Sequence, residues 1–561
     1  MSYEPKPEGS GALDSQHAIT PTPTASIVAD DDAMANPSEM EYLQGLPLWS
    51  VSIAIAVLLF LTAIELSIVT TTLVSITDDL GGLDNASWVA SSYLLGYVGV
   101  VIILAKLSDI FGRKPILLAS ALVFAIFSGA CAASTTLVDL IVFRAFQGVG
   151  GGGCLALSLI VVIELVPPEK YAKFVAQLNI AVALALILGP LLGGLISSYT
   201  TWKWIFFINL PPSVIAIALI FFALPWNFPF QGTRGSNTRQ KSPKTPLKRV
   251  DFLGCFLLLA ATVLLTAGLQ EAGNQFPWKS AFVITVLSAS ALLWGALILW
   301  ERRVTLKDDV REPVLPWRFL TDRVIAGILL EFVLLGGSLT VTVFQLPQRF
   351  QLLNGLSGLD AGVRLIPFGA AFPVGCVVGA RVASKWRVAP VMIVPVGTTL
   401  QALGFALLGT LSTEPRLHPR TYGFEILAGF GVGMNYQSLY LMIPFVTTKR
   451  DNAVALATVS QFRMIGGAVF LAAATAIFNG HVMSQLSEIG IQGLETQYNL
   501  TGYMHDASSE MKEALQSVLA DAYNYQMLLL AASAGAQMLS TLLLLKRPQK
   551  MIPQESPDPH L

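Results

Sequence analysis

The sequence predicts an all-α polytopic membrane protein of about fourteen transmembrane helices, and three observations carry that prediction. The first is composition: 53% of the 561 residues are hydrophobic and 13% are charged, with a mean hydropathy of +0.63. A water-soluble fold of this size has too little interior to hide so much apolar surface, so lipid must cover the surplus. The second is segment length, because a helix rising about 1.5 Å per residue needs roughly 20 apolar residues to cross a hydrocarbon core of about 30 Å. Such segments begin near Leu48, Ser87, Pro115, Leu137, Lys173 and Trp204, then Asp251 and Ser280, then Val324, Ala361, Val388, Tyr422, Ala453 and Gln526. The third is the placement of Lys and Arg, which collect in a few connecting segments.

Those connections set the expected orientation. Arg234, Arg239, Lys241, Lys244, Lys248 and Arg249 fall between segments 6 and 7, and Arg302, Arg303, Lys307, Arg311, Arg318 and Arg323 between segments 8 and 9. Lys106, Arg113 and Lys114 follow segment 2 on the same side, which is the cytosolic side by the excess of basic residues. The opposite side is acidic or neutral, with Asp78, Asp79 and Asp84 after segment 1 and only Lys512 between Asn479 and Tyr525. Both termini are then cytosolic. The expected organisation is a polar, disordered tail over 1–46, a six-helix bundle over 47–226, basic loops with helices 7 and 8 over 227–323, a second six-helix bundle over 324–546 containing an outer loop at 479–525, and a tail at 547–561. Met511, Leu515, Val518, Leu519 and Tyr523 recur at helical spacing, predicting a short amphipathic helix on the outer surface before the last span. Sequons at Asn85 and Asn499 both fall outside in this topology, Asn499 being the better glycosylation candidate because Asn85 sits almost at the membrane.

Several classes of function are excluded at this level. The net charge of -1 has no basic patch interleaved with aromatics, so no nucleic-acid partner is expected. Cys131, Cys154, Cys255 and Cys376 lie in apolar runs without metal-site spacing, and neither a metal nor another cofactor is expected. The run Gly150 to Gly153 lacks the Lys-Ser/Thr ending of a phosphate loop and reads as close helix packing. No His falls in an expected span, which leaves carboxylates as proton carriers.

Charged residues in apolar stretches carry the chemistry. A carboxylate such as Glu65 costs several kcal/mol in lipid if left charged, so it faces a polar passage as a protonatable coupling group or is paired structurally to another helix. Arg144, with Gln147 beside it, cannot lose its proton and serves to set the state of a nearby carboxylate and bind water. Glu331, deep in segment 9, is either a further coupling or recognition acid or the partner of Arg463 in segment 13, while Glu425 opens segment 12. Between segments 2 and 3, Lys106 to Pro115 sets Asp109 four residues before Arg113, with Gly112 able to take φ > 0; this predicts a charge cluster that latches neighbouring helices.

The segment Lys106-Leu-Ser-Asp109-Ile-Phe-Gly112-Arg113-Lys114-Pro115 resembles the loop signature of the major facilitator superfamily, with Ala105 where that signature begins with Gly. The segment count is similar to its drug:proton antiporter family with fourteen spanners. Glu65 and Ser67 stand where that family has Asp and Thr; Arg144-Ala-Phe-Gln147-Gly148 resembles its proton-transfer motif; and Gly189-Pro190-Leu-Leu-Gly193-Gly194 resembles its antiporter motif, with Ala185 in place of Gly. Trp202 to Pro211, Gly362 to Pro367, Leu427 to Gly433 and Arg463 to Gly467 are similar to the same family, Trp202 and Trp204 being expected as interface anchors rather than binding residues. The resemblance implies two six-helix halves with two extra helices between them. It further implies a proton-coupled export pump, monomeric and not an enzyme, for amphipathic drugs or a fungal metabolite at the plasma membrane. Amides such as Gln147, Gln345, Asn435 and Gln437 are expected on a mainly apolar cavity wall. Uptake of siderophores or basic amino acids, with the vacuolar membrane as its site, is the alternative transport reading. A membrane enzyme or receptor is the reading from another class, and no catalytic cluster at the membrane edge supports it.

Overall fold

The computed structural model describes residues 42–81, 86–229, 246–273, 275–307, 311–411, 418–448, 450–488 and 509–546. In lipid every backbone N–H and C=O must find a partner within the chain, and apolar runs of this length satisfy that only as helices. The long helices are α1 (Gly45–Leu80), α2 (Ala86–Phe111), α3 (Arg113–Ala132), α4 (Leu137–Leu165), α5 (Tyr171–Tyr199) and α6 (Leu210–Ala223). Next come α7 (Phe252–Glu271) and α8 (Ala281–Lys307). The last group is α9 (Arg323–Asn354), α10 (Ile366–Ser384), α11 (Pro390–Leu408), α12 (Arg420–Val446), α13 (Asn452–Glu488) and α14 (Ser509–Leu544). Single helical turns, Trp204–Phe207 and Gly358–Arg364, lead into α6 and α10.

Thirteen of the described spans are long and apolar enough to cross a membrane. The fourteenth, α12, has the length but carries Glu425 and the polar run Asn435 to Ser438, which face protein and are buried. The expected count of fourteen therefore holds, and its order follows the six, two, six grouping. In the first group α2 packs on α4, α1 on α5 and α6, and α3 on α4; in the last, α12 packs on α10 and α11, α9 on α13, and α14 on α9 and α11. The groups meet along two seams, α5 against α10 and α2 against α13. The α7–α8 pair leans on α2, with α8 outermost.

Helix ends are set by local chemistry. The Asp322 side chain accepts from Val324 N at 2.8 Å and Ile325 N at 3.1 Å to open α9, and Gly355 closes it with φ 61°. Asp251 opens α7 by accepting from Gly254 N at 3.0 Å. Below, the end of the bundle holding residues 106–114, 246–249 and 311–318 is called the basic end.

Two expectations change. The stretch around Met511 to Tyr523 is not a separate surface helix: it is the first part of α14, continuous through Ser509–Leu544. Its apolar face packs Leu515, Leu519 and Tyr523 on Leu353, Phe478 and Val482, so protein rather than the membrane interface covers the stripe. Helix α13 likewise runs to Glu488, past the expected end of its span, and His481 therefore lies on a helix, its ring 5.1 Å from that of Tyr525. The sequons at Asn85 and Asn499, the tail residues 1–41 and 547–561, and Arg234, Arg239, Lys241 and Lys244 lie outside the described residues.

The glycine run in α4 makes the first bundle tight. A Cβ at Gly148 would sit 2.1 Å from the Tyr93 carbonyl of α2, and one at Gly150 would sit 2.4 Å from the Phe124 backbone nitrogen of α3. Both contacts are to backbone, so neither side can yield. Gly148→Leu is expected to destabilise the fold by at least the roughly 1–3 kcal/mol typical of overpacking. The expected readout is loss of the monodisperse peak in detergent gel filtration; a wild-type elution profile and Tm would show that α2 and α4 do not need this approach.

Candidate functional site

The first group buries one ion pair at its centre. Glu65 on α1 is fully buried and Arg144 on α4 is 1% exposed, and the two form a salt bridge. Arg144 also donates from Nε to the Val89 carbonyl at 3.1 Å and from Nη1 to Gln147 Oε1 at 2.9 Å. Gln147 passes the chain of bonds to Ser128 Oγ on α3 at 2.8 Å. The guanidinium lies over the rings of Tyr93, 4.4 Å from its centroid, and Phe206, at 5.5 Å. The second Glu65 oxygen accepts from Asn209 Nδ2, the residue that opens α6. Four long helices and the entry to a fifth thus converge on one carboxylate. Desolvating two charges this far costs several kcal/mol per ion, and only dense hydrogen bonding of the kind seen here offsets it.

Immediately beyond Glu65, α5 closes on α1. A Cβ at Gly189 would lie 2.0 Å from Ser67 Oγ, so the glycine of the Gly189-Pro190 motif is what lets α5 touch α1 two residues from the acid. Gly193 is buried in the same helix, and Gly194, one turn from Pro190, reaches Leu359 of the last group at ordinary contact distance.

Arg463 and Glu331 do not pair. Glu331 is buried on α9, where Oε1 accepts from Ser540 at 2.6 Å and Thr541 at 3.0 Å of α14. It does not join Glu65, Arg144 and Gln147. Arg463 on α13 instead lies over the Tyr436 ring at 5.7 Å, with Tyr440 and Tyr97 as its other strongest electrostatic neighbours. Glu425 is buried beside the α10 backbone at Phe368. The amides expected on a cavity wall are mostly consumed in packing: Gln437 accepts from Asn179 across the two groups at 2.9 Å, and Asn435 sits among Thr398, Gln401 and the Val394 carbonyl. Gln345 Oε1 has no hydrogen-bond partner.

At the basic end, Gly112 has φ 101° and turns the chain so that Arg113 meets Asp109. Arg113 also donates to Ser108 at 2.7 Å and grips Glu164, at the end of α4, through Nε at 2.9 Å and Nη2 at 2.7 Å. Lys106 makes its ion pair elsewhere, to Glu312 at 2.6 Å, and Arg249 donates from Nε to the same carboxylate at 2.9 Å. Lys114 places its ammonium 2.6 Å from both the Phe221 and Leu224 carbonyls, where α6 ends. A further salt bridge joins Arg318 to Asp451.

With the fold and these clusters in view, likeness to other proteins is decisive. A sequence model of the Major Facilitator Superfamily matches residues 55–271. The chain is 37% identical over 529 residues to the MFS-type transporter FPY5 of Fusarium mangiferae, covering 94% of this chain and 88% of that one. It belongs to the major facilitator superfamily. The efflux pump roqT of Penicillium rubens is 30% identical over 430 residues, 76% of this chain and 77% of that pump. Among solved structures, the proton:xylose symporter XylE matches with a TM-score of 0.58 at 14% identity, over 90% of this chain and 97% of that one, a likeness of fold. As a superfamily member the protein is a multi-pass membrane transporter of small molecules, not an enzyme.

Within this superfamily fold, sequence reading gave Asn209 no role and assigned Trp202 to the membrane interface. Asn209 is fully buried on Glu65, and Trp202, 3% exposed, donates to Asp79 at 2.9 Å. The chain folds inward between α5 and α6, and Trp204, 54% exposed, is the residue left facing outward. Glu164 and Glu312 were also missed; each closes an apolar run or sits in a basic loop where composition hides its partner.

Burial alone would raise the Glu312 carboxyl, but Lys106 and Arg249 outweigh it and hold it below its ordinary value of 4.5. A depressed folded pKa means the stabilisation is present above the unfolded value and is lost as pH falls through the folded one. Glu312→Gln is therefore expected to lower stability by up to about 3 kcal/mol at neutral pH, because Lys106 is left buried without a counter-charge. The deficit should shrink as pH falls below about 4. Thermal unfolding in detergent across that pH range checks this; equal Tm values at neutral pH would remove the network from the stability of the fold.

Proposed function

We propose that this transporter is a proton-coupled efflux pump, an antiporter for small amphipathic organic molecules of the drug or fungal-metabolite kind. The observation that carries the reading is the Glu65–Arg144 pair, a protonatable carboxylate held by a permanent cation at the centre of the first bundle. When a proton neutralises Glu65, the ion pair and the charge-assisted bond to Asn209 both weaken, releasing α1, α4 and α6 from one another. Because α5 rests on α1 at Ser67, the change is delivered to the seam between α5 and α10. Rocking of the halves about a central site then alternates access.

The positive-inside bias supports a cytosolic basic end and cytosolic termini in the plasma membrane. At that end the halves are in contact: Ala172 and Ala176 of α5 pack with Ala380 and Ala383 of α10, and Gln437 donates to the Ala172 carbonyl at 3.3 Å. The arrangement suits a pump closed to the cytosol and releasing cargo outward. The efflux function of the named relative from Penicillium rubens supports the same direction. Glu331, tied to α14, is a second protonatable acid whose role is to hold α9 against α14 in this state.

Glu65→Gln is expected to cut pH-gradient-driven substrate movement in proteoliposomes by at least about tenfold, because the group that exchanges the proton is gone. Counterflow without a gradient should persist. An unchanged pH dependence would remove Glu65 from coupling. Asp109→Asn, which loosens Arg113 from its cluster, is expected to slow turnover several-fold at unaltered membrane abundance. Wild-type transport by an inserted variant would remove the latch role.

A further inference from the structure

Each group of helices carries an arginine inside its apolar run, Arg144 fully buried and Arg463 half-buried. Arg144 has its glutamate. Arg463 forms no ion pair among the described residues, and its Nε has no hydrogen-bond partner. None of the acids in the described spans pairs with it: Glu65 holds Arg144, Glu331 accepts from the α14 hydroxyls, and Glu425 lies beside Phe368 with no ion pair. What surrounds Arg463 is aromatic, with Tyr436 and Tyr440 from α12 and Tyr97 from α2. These rings and the Tyr440 hydroxyl offset part of the cation's desolvation, but none of them supplies a counter-charge.

A small apolar void, with room for about one water molecule, lies between α5, α9 and α10, walled by Ala183, Ile187, Leu339, Val343, Phe368 and Phe372. It spans the seam between the two halves. The Phe372 ring stands edge-on to Tyr436 with centroids 5.4 Å apart, and Tyr436 is the ring beneath Arg463. A ladder of Phe372, Tyr436 and guanidinium thus leads from the apolar wall to an uncompensated positive charge. Tyr440 extends the same surface, 4.8 Å from Tyr436 and 4.7 Å from Phe332.

We infer that Arg463 is the anion-recognising residue of the cargo site, and that the preferred substrates are organic anions with a flat or apolar body and a single acidic group. A carboxylate or phenolate would supply the counter-charge that the protein withholds, using the guanidinium edge that includes the unsatisfied Nε. The body would lie against the aromatic ladder once the halves part at this seam, since the void is too small for it in the closed state. A basic amino acid would meet a like charge there, so this site disfavours such cargo. The inference deepens the efflux reading above and rests on it for the transport cycle, but its binding chemistry is independent of proton coupling.

The test uses the full-length purified transporter and three probes sharing one ring system: 2-naphthoic acid, 2-naphthamide and 2-naphthylmethylamine. Binding at neutral pH is measured by ligand fluorescence in detergent for wild type, Arg463→Gln and Arg463→Lys. Naphthoate is expected to bind at least about tenfold more tightly than the amide, with the amine weakest. Arg463→Gln should collapse that preference, bringing naphthoate down to the affinity of the amide in the same variant, and Arg463→Lys should retain part of it. Equal affinity for the three probes, no binding of any, or an anion preference surviving in Arg463→Gln would each overturn the inference. Gradient-driven flux of a wider compound panel in proteoliposomes separates the two readings. Flux that persists without anion selectivity overturns only the Arg463 assignment; anion binding at Arg463 with no response to a pH gradient overturns only the proton coupling.

Discussion

The Glu65–Arg144 ion pair is the constraint around which the first bundle is arranged. A bare carboxylate or guanidinium cannot stay in a hydrocarbon interior, so each needs partners at hydrogen-bond distance on several sides. Those partners come from α2, α3, α4 and the start of α6, which fixes how the helices rotate and how deep each sits. The glycines at 148, 150 and 189 are the steric counterpart: backbones must approach closely enough for short side chains such as Ser128 and Asn209 to reach the charged centre. Charge and close packing here are two faces of one requirement.

The architecture was legible in the sequence because lipid imposes a simple rule on length and polarity. Thirteen spans pass that rule outright. Segment 12 was legible despite Glu425 and its polar middle because the rest of the run is apolar, and the structure shows that the polar middle, Asn435 to Ser438, is turned inward. The rule fails at helix ends outside the hydrocarbon region, where composition no longer distinguishes a surface helix from the extension of a spanning one. That is why the stripe from Leu515 to Tyr523 was read as a separate element and His481 as a loop residue.

The candidate site was legible in its members but not in its pairings. Glu65, Arg144 and Gln147 stood out because such residues are expensive in an apolar run. Which acid meets which base depends on helix rotation, and a single sequence carries no record of it. Asn209 was overlooked for a related reason: beside Trp202 and Trp204 it has the composition of a membrane interface, and only the inward fold of that turn brings it to Glu65. Conversely, Glu331 seemed a natural match for Arg463 by charge, and the structure gives it to Ser540 and Thr541 instead.

The two seams between the halves are not equivalent. Along α2 and α13, Gln461 accepts from the Ile102 amide at 3.2 Å and donates to Thr262 of α7 at 3.1 Å, so the inserted helix pair is stitched over that joint. The α5–α10 joint, beside the apolar cavity, has no comparable cover among the described residues. Fourteen helices in place of twelve therefore leave the two joints unequally braced, the inserted pair tying down one of them and not the other.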